Sequence, residues 1–145
     1  VPESPPVIER LTPPLSAHDI ESLAELLVAA VESGAAVSFL PPLRLADARA
    51  WWADTLRAFS PRGILLGARA EGRLVGTVQL HPAWAPNQPH RGDVAKLLVH
   101  RDFQRQGLAE RLMRALEDAA PHNGISLLTL DAKADAPAAR LYRRL

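Results

Sequence analysis

The chain contains no cysteine. That removes a thiol nucleophile, a disulfide framework and a cysteine-ligated zinc site, and it leaves the redox compartment undetermined. Charge of one sign is also lacking. A formal net charge of +1 falls short of the basic surplus expected of a general nucleic-acid binder. Charge or proline interrupts the apolar runs well before the roughly 20 residues a membrane span needs. The opening "VPESPPVIERL" has neither a basic start nor an apolar centre, so it reads as no secretory signal. A cytoplasmic protein is the default expectation. No repeat recurs at a period of 20–50 residues. Both G-x-x-x-x-G-K-[ST] and G-x-G-x-x-G are absent, which removes the P-loop and the dinucleotide fingerprint.

What is present suits one soluble domain. Its 145 residues suffice to bury about 68–70% of the unfolded surface. Hydrophobic residues at 48% and charged residues at 23% are globular proportions. Prolines gather at 2–14, 41–42 and 82–89, marking a tail and two loops.

Periodicity predicts the elements. "VIERL" (7–11) alternates as a strand. Ser16 can cap a helix over 17–33 with Ile20, Leu23, Leu27 and Val31 on one face, closed by Gly34. A second helix covers 44–59, with Leu45, Trp52, Leu56 and Phe59 as its apolar stripe. Residues 64–70 and 74–81 around "EGR" form a β-hairpin. A third strand spans 93–100, a helix 107–120 turns Leu108, Leu112, Met113 and Leu116 inward, and 126–132 is a further strand. A helix is expected over 136–145, with Pro137 near its first turn. This β-α-α-β-β-β-α-β-α order predicts an α/β domain on a mixed sheet.

One stretch asks for an explanation. "LLVHRDFQRQGLAERL" places Gly107 where a strand passes to a helix, although glycine costs about 1 kcal/mol against alanine in a helix. A helix start carries unpaired N–H groups and partial positive charge, a ready anion site. The missing side chain lets an anion approach, and Arg101 and Arg105 add charge. An ordinary strand-to-helix turn explains the glycine equally well.

The pattern [QR]-x-x-G-x-[GA] narrows this. It stands as Gln104-Arg105-Gln106-Gly107-Leu108-Ala109, five residues after Val99. Here the chain resembles the GNAT superfamily of acetyl-CoA-dependent N-acetyltransferases, which hold the cofactor's pyrophosphate on that turn. "DAPAARLYRRL" is similar to the family's N-x-x-A-x-x-L-Y stretch through Asp135, Ala138, Leu141 and Tyr142. Asp135 replaces the usual asparagine. The run "NQPHRGDVAKLLVH" further resembles a bacterial branch that includes tabtoxin-resistance acetyltransferases. The resemblance covers roughly 7–145 and is specific over 93–142.

The resemblance implies a mainly antiparallel sheet that splays between 93–100 and 126–132, with helices on both faces. Acetyl-CoA would lie in the gap along the backbone of Leu97, Leu98 and Val99, with further contacts from 104–109, Asp135 and Ala138. Tyr142, the only tyrosine, occupies the general-acid position. A phenol with pKa near 10 stays protonated at neutral pH. Asp93 is the candidate base, acting through water. His81 and His90 border the same loop and can serve instead, because histidine titrates near neutrality. Trp84, Asn87 and His90 in "HPAWAPNQPHRG" form the expected acceptor wall, stiffened by Pro82, Pro86 and Pro89. Trp51 and Trp52 point about 100° apart, so one should be more exposed.

The expected function is acetyl transfer to the primary amine of a small molecule. A non-catalytic acyl-CoA sensor and a protein or peptide acetyltransferase are the rivals. Five histidines without a His-x-x-x-His pair suggest polar surface rather than a metal site. A homodimer is left open. The family's terminal strands are expected to be lacking after Leu145.

Overall fold

The computed structural model describes residues 5–34, 41–83, 90–132 and 139–144. Strand β1 (Val7–Arg10) leads into helices α1 (Ala17–Glu32) and α2 (Leu45–Arg57). Strands β2 (Ile64–Ala70), β3 (Arg73–Pro82) and β4 (Arg91–Val99) follow. Helix α3 (Leu108–Ala119) then connects to β5 (Leu127–Ala132) and β6 (Ala139–Arg144). The six strands lie side by side in chain order. All neighbours are antiparallel except β4 and β5. A parallel pair needs a crossover, which α3 supplies. Among the described residues, no helix is long and apolar enough to cross a membrane.

Helices cover both faces of the sheet, so its central strands are apolar on both sides. Ile64, Leu66 and Ala68 of β2 join Val78 and Leu80 of β3 against Leu108, Leu112 and Leu116 of α3. Leu65, Leu74 and Leu98 face Leu23, Leu27 and Val31 of α1 and Trp52 of α2. This two-sided burial explains the unbroken "ILLGA" run in β2. Ser16 caps α1 by accepting from the Asp19 N–H at 3.1 Å, satisfying one of its orphan donors. Trp52 is fully buried while Trp51 is half-buried.

The last element departs from expectation. Residues 139–144 form a strand rather than a helix, and six residues pair antiparallel with β5 from Leu127↔Arg144 to Ala132↔Ala139. Two physical terms favour this. A helix shorter than about 12–15 residues is marginal in water. Without β6, moreover, β5 would expose a row of unpaired backbone groups. The element order therefore ends β-β.

Candidate active site

The site begins where two strands part. Strand β4 pairs with β5 only through Arg91↔Leu127, Gly92↔Leu128 and Asp93↔Thr129. Beyond these, 94–99 has no ladder partner on the β5 side among the described residues. A bulge lies in the same segment. Thr77↔Leu98 and Gln79↔Ala95 leave two β4 residues, Lys96 and Leu97, opposite Val78, and Lys96 adopts φ +53°. Such bulges bend a strand and re-aim its groups.

The bulge separates two hollows that share Leu97, which is 38% exposed. One, of roughly 410 Å3, lies between α3 and β5 and is lined by Ala109, Met113, Leu128 and Leu130. The other, of roughly 450 Å3, reaches the end of α1 and includes Val99, Arg101 and Gln104. The His100 N–H donates to the Val75 carbonyl at 2.8 Å. Antiparallel alternation therefore turns the N–H and C=O of Val99 away from β3. The Val99 carbonyl accepts from Gln104 Nε2 at 3.0 Å, leaving its N–H directed to the gap.

Gly107 answers the question that the sequence raises. It caps α3 at φ +78°, a left-handed conformation that a Cβ disfavours. A Cβ there would meet nothing within 4 Å, so the space before it is open. No side chain caps α3, and its first ladder bond runs from the Arg111 N–H to the Gly107 carbonyl at 3.0 Å. The amides of Leu108, Ala109 and Glu110 thus lack intrahelical acceptors. Arg105 is also left-handed, at φ +62°, and it and Arg101 are exposed. The glutamines bind the protein itself, since Gln106 Nε2 donates to the Asp102 carbonyl at 3.1 Å. Their side chains secure the turn. The Leu108 and Leu98 side chains are buried in the two cores, so these positions offer backbone only.

On the α1–α2 face, a polar row crosses the sheet. His81 of β3 stands opposite Asp93 of β4, and Asp93 opposite Thr129 of β5; the backbone of Tyr142 in β6 pairs with Thr129 in turn. Thr129 Oγ1 donates to Asp93 Oδ1, and Arg91 Nε lies 3.6 Å from that oxygen. The His81 ring lies 5.2 Å from that of Phe59, and its Nε2 is 2.7 Å from Gln79 Oε1. Burial lowers the His81 pKa, opposed by the nearby Asp93 charge and helped by Lys96. Lys96 Nζ sits 5.4 Å above the Trp51 ring, within cation–π reach; burial lowers its pKa too.

His90 is exposed, and its carbonyl accepts from the N–H groups of Ser126 and Leu127 at 2.9 and 3.2 Å. It therefore anchors β5 through its backbone. Trp84, Asn87, Asp135 and Ala138 lie outside the described residues. Sequence reasoning passed over Gln79, Lys96 and Thr129. Gln79 was detectable, since Thr77, Gln79 and His81 put polar groups at every second place along one strand. The bulge at Lys96 leaves no such trace.

The sequence profile of the Acetyltransferase (GNAT) family matches residues 22–145. The chain belongs to this family. Solved structures agree on the fold. An N-acetyltransferase from Staphylococcus aureus Mu50 superposes with a TM-score of 0.72 at 16% identity, covering 91% of this chain and 76% of that one. A ribosomal-protein-alanine N-acetyltransferase from Brucella melitensis gives 0.69 at 18%, covering 89% and 75%. A provisionally assigned acetyltransferase from Salmonella typhimurium, solved with its cofactor acetyl-CoA, gives 0.68 at 18%, covering 90% and 71%. The chain is thus an acyltransferase of the acetyl-CoA-dependent GNAT type.

Proposed function

We propose that the protein transfers the acetyl group of acetyl-CoA to the primary amine of a small molecule, by direct attack within a ternary complex. The observation that carries this reading is the parting of β4 and β5 beside the uncapped start of α3. The residues present fit the cofactor. Open space before Gly107, together with amides 108–110, suits a pyrophosphate. The hollow lined by Met113, Leu128 and Leu130, with Glu110, Arg114 and Glu117 along α3, suits a pantetheine arm, which carries both methylene and amide groups. Acetyl-CoA, when bound, supplies the activated acyl thioester.

The chain's own residues divide the remaining work. The Val99 N–H is a preorganised donor for a carbonyl oxygen in the gap. Asp93 and His81 form a basic pair that receives the proton of the incoming amine. Tyr142, one register step beyond Thr129, supplies a proton to a departing thiolate. Trp84, Asn87 and His90 are assigned to the acceptor side from the sequence. The likeness to tabtoxin-resistance acetyltransferases belongs to the same reading.

A protein acceptor is the second reading, motivated by the fold shared with the ribosomal-protein-alanine enzyme. A thiol-release assay over a panel of small amines and N-terminal peptides separates the two. Turnover on small amines supports the first reading, and turnover confined to peptides overturns it. Acetyl-CoA binding without turnover on either set would indicate a sensor.

A further inference from the structure

The geometry points to Gln79 as the positioning residue that makes His81, through its Nδ1, the proton acceptor for the incoming amine. This inference rests on the acetyltransferase reading and names one atom of its chemistry. Gln79 lies on β3 two residues before His81, so both side chains share the sheet face that carries Asp93 and Thr129. It is 1% exposed. Its Oε1 faces His81 Nε2 at 2.7 Å.

With the amide oxygen turned toward the ring, it only accepts, so that contact is a hydrogen bond only when Nε2 carries the hydrogen. The lone pair of neutral His81 is then on Nδ1, which the Gln79 contact leaves out. The other end of the amide supports a functional origin. Gln79 Nε2 is buried and has no hydrogen-bond partner among the described residues. An unsatisfied buried amide group costs about 1–3 kcal/mol, which leucine at this position would avoid. Packing alone does not account for a glutamine here. Holding one imidazole tautomer does.

The surroundings suit a base. Phe59, just after α2, packs its ring at a tilt against the imidazole, Asp93 of β4 raises the proton affinity, and Lys96 of β4 lowers it. Arg91 Nε stands 3.6 Å from the Asp93 carboxylate. Burial dominates, keeping His81 neutral at physiological pH. A proton taken from the amine passes to Nδ1 and from there to solvent.

Nitrogen-15 NMR of the imidazole, which reads tautomer and titration directly, tests the assignment alongside kinetics of Gln79→Leu and Gln79→Glu. Wild-type His81 should be the Nε2–H tautomer at pH 7, and Gln79→Leu should lose that preference. Its kcat should fall about 10-fold or more while acetyl-CoA affinity is unchanged. Gln79→Glu keeps an acceptor oxygen and adds a negative charge. It should raise the His81 pKa, and the acid limb of kcat/KM should move up by the same amount. An Nδ1–H tautomer in the wild type overturns the inference. So does an acid limb that stays in place while the NMR titration of His81 moves. Gln79→Glu decides the matter if Gln79→Leu fails to fold. Absence of turnover on every amine would remove the acetyltransferase reading and the proton role together, yet the tautomer spectrum would still report whether Gln79 holds His81.

Discussion

Asp93 and Tyr142 stand on opposite sides of one residue, Thr129. The first pairs with it from β4 and the second from β6. At about 4.8 Å between strands, their backbones lie roughly 10 Å apart. That interval suits a proton donor on β6 and the paired His81 and Asp93 on the other side of one transfer. Tyr142→Phe should lower kcat about 100-fold and leave acetyl-CoA affinity within twofold. Steady-state turnover with a verified amine, beside calorimetric titration, checks both values. Turnover within twofold of wild type would reduce the phenol to packing.

At the helix start, two substitutions separate strain from electrostatics. Gly107→Ala meets open space and carries only the left-handed penalty, about 1 kcal/mol. Gly107→Glu adds a negative charge before the α3 amides and should weaken acetyl-CoA binding at least ~10-fold further, about 1.4 kcal/mol. Calorimetry on both variants provides the comparison. Equal affinities would remove the pyrophosphate from this turn.

Removing the Asp93 charge has a definite sign. That carboxylate raises the proton affinity of His81 against the larger effect of burial. Asp93→Asn should therefore lower the His81 pKa further and move the acid limb of kcat/KM to lower pH. Because the neutral imidazole is the active form, the variant should keep more of its plateau rate in mild acid. The plateau itself should fall less than ~10-fold. A drop of ~100-fold or more at neutral pH, with the limb unmoved, would make Asp93 the base.

Away from the site, Arg69 joins β2 to α1 and β1. Its guanidinium contacts Asp19 at 3.0 Å and Glu9 at 2.8 Å. Hydrogen bonding to Arg69 holds the Asp19 pKa below the ordinary carboxylate value. A depressed folded pKa gives stability that is present above the unfolded pKa of about 3.9 and lost as pH falls through the folded one. Asp19→Ala should cost about 1–2 kcal/mol at pH 7 and much less near pH 2. Urea denaturation at the two pH values measures this. An equal loss at both would show that the pair adds nothing through charge.

Core packing offers a plainer check. Leu112 is fully buried between α3 and the sheet, and a Cβ on Gly76 would come within 3.1 Å of it. Leu112→Ala should lose about 2–5 kcal/mol, read from the urea midpoint. A loss below 1 kcal/mol would contradict the close packing of α3 on β3.

Patterns local to the chain were legible without coordinates. Apolar spacing marks α1, α2 and α3 to within two residues, because a helix buries one stripe and the stripe repeats every 3.6 residues. Gly107 was legible for a related reason. A left-handed cap followed by unpaired amides is a property of a few consecutive residues. Tertiary contacts decided the rest. Residues 139–144 carry a helical pattern, yet the open edge of β5 offers backbone partners that a short helix cannot match. The row His81, Asp93, Thr129 and Tyr142 depends on the register of four strands, one joined through the α3 crossover. The bulge at Lys96 and the hold of Gln79 on His81 likewise arise only once β3 and β4 have paired. Local propensity acts along the chain, whereas register and separation depend on which backbone edges find partners.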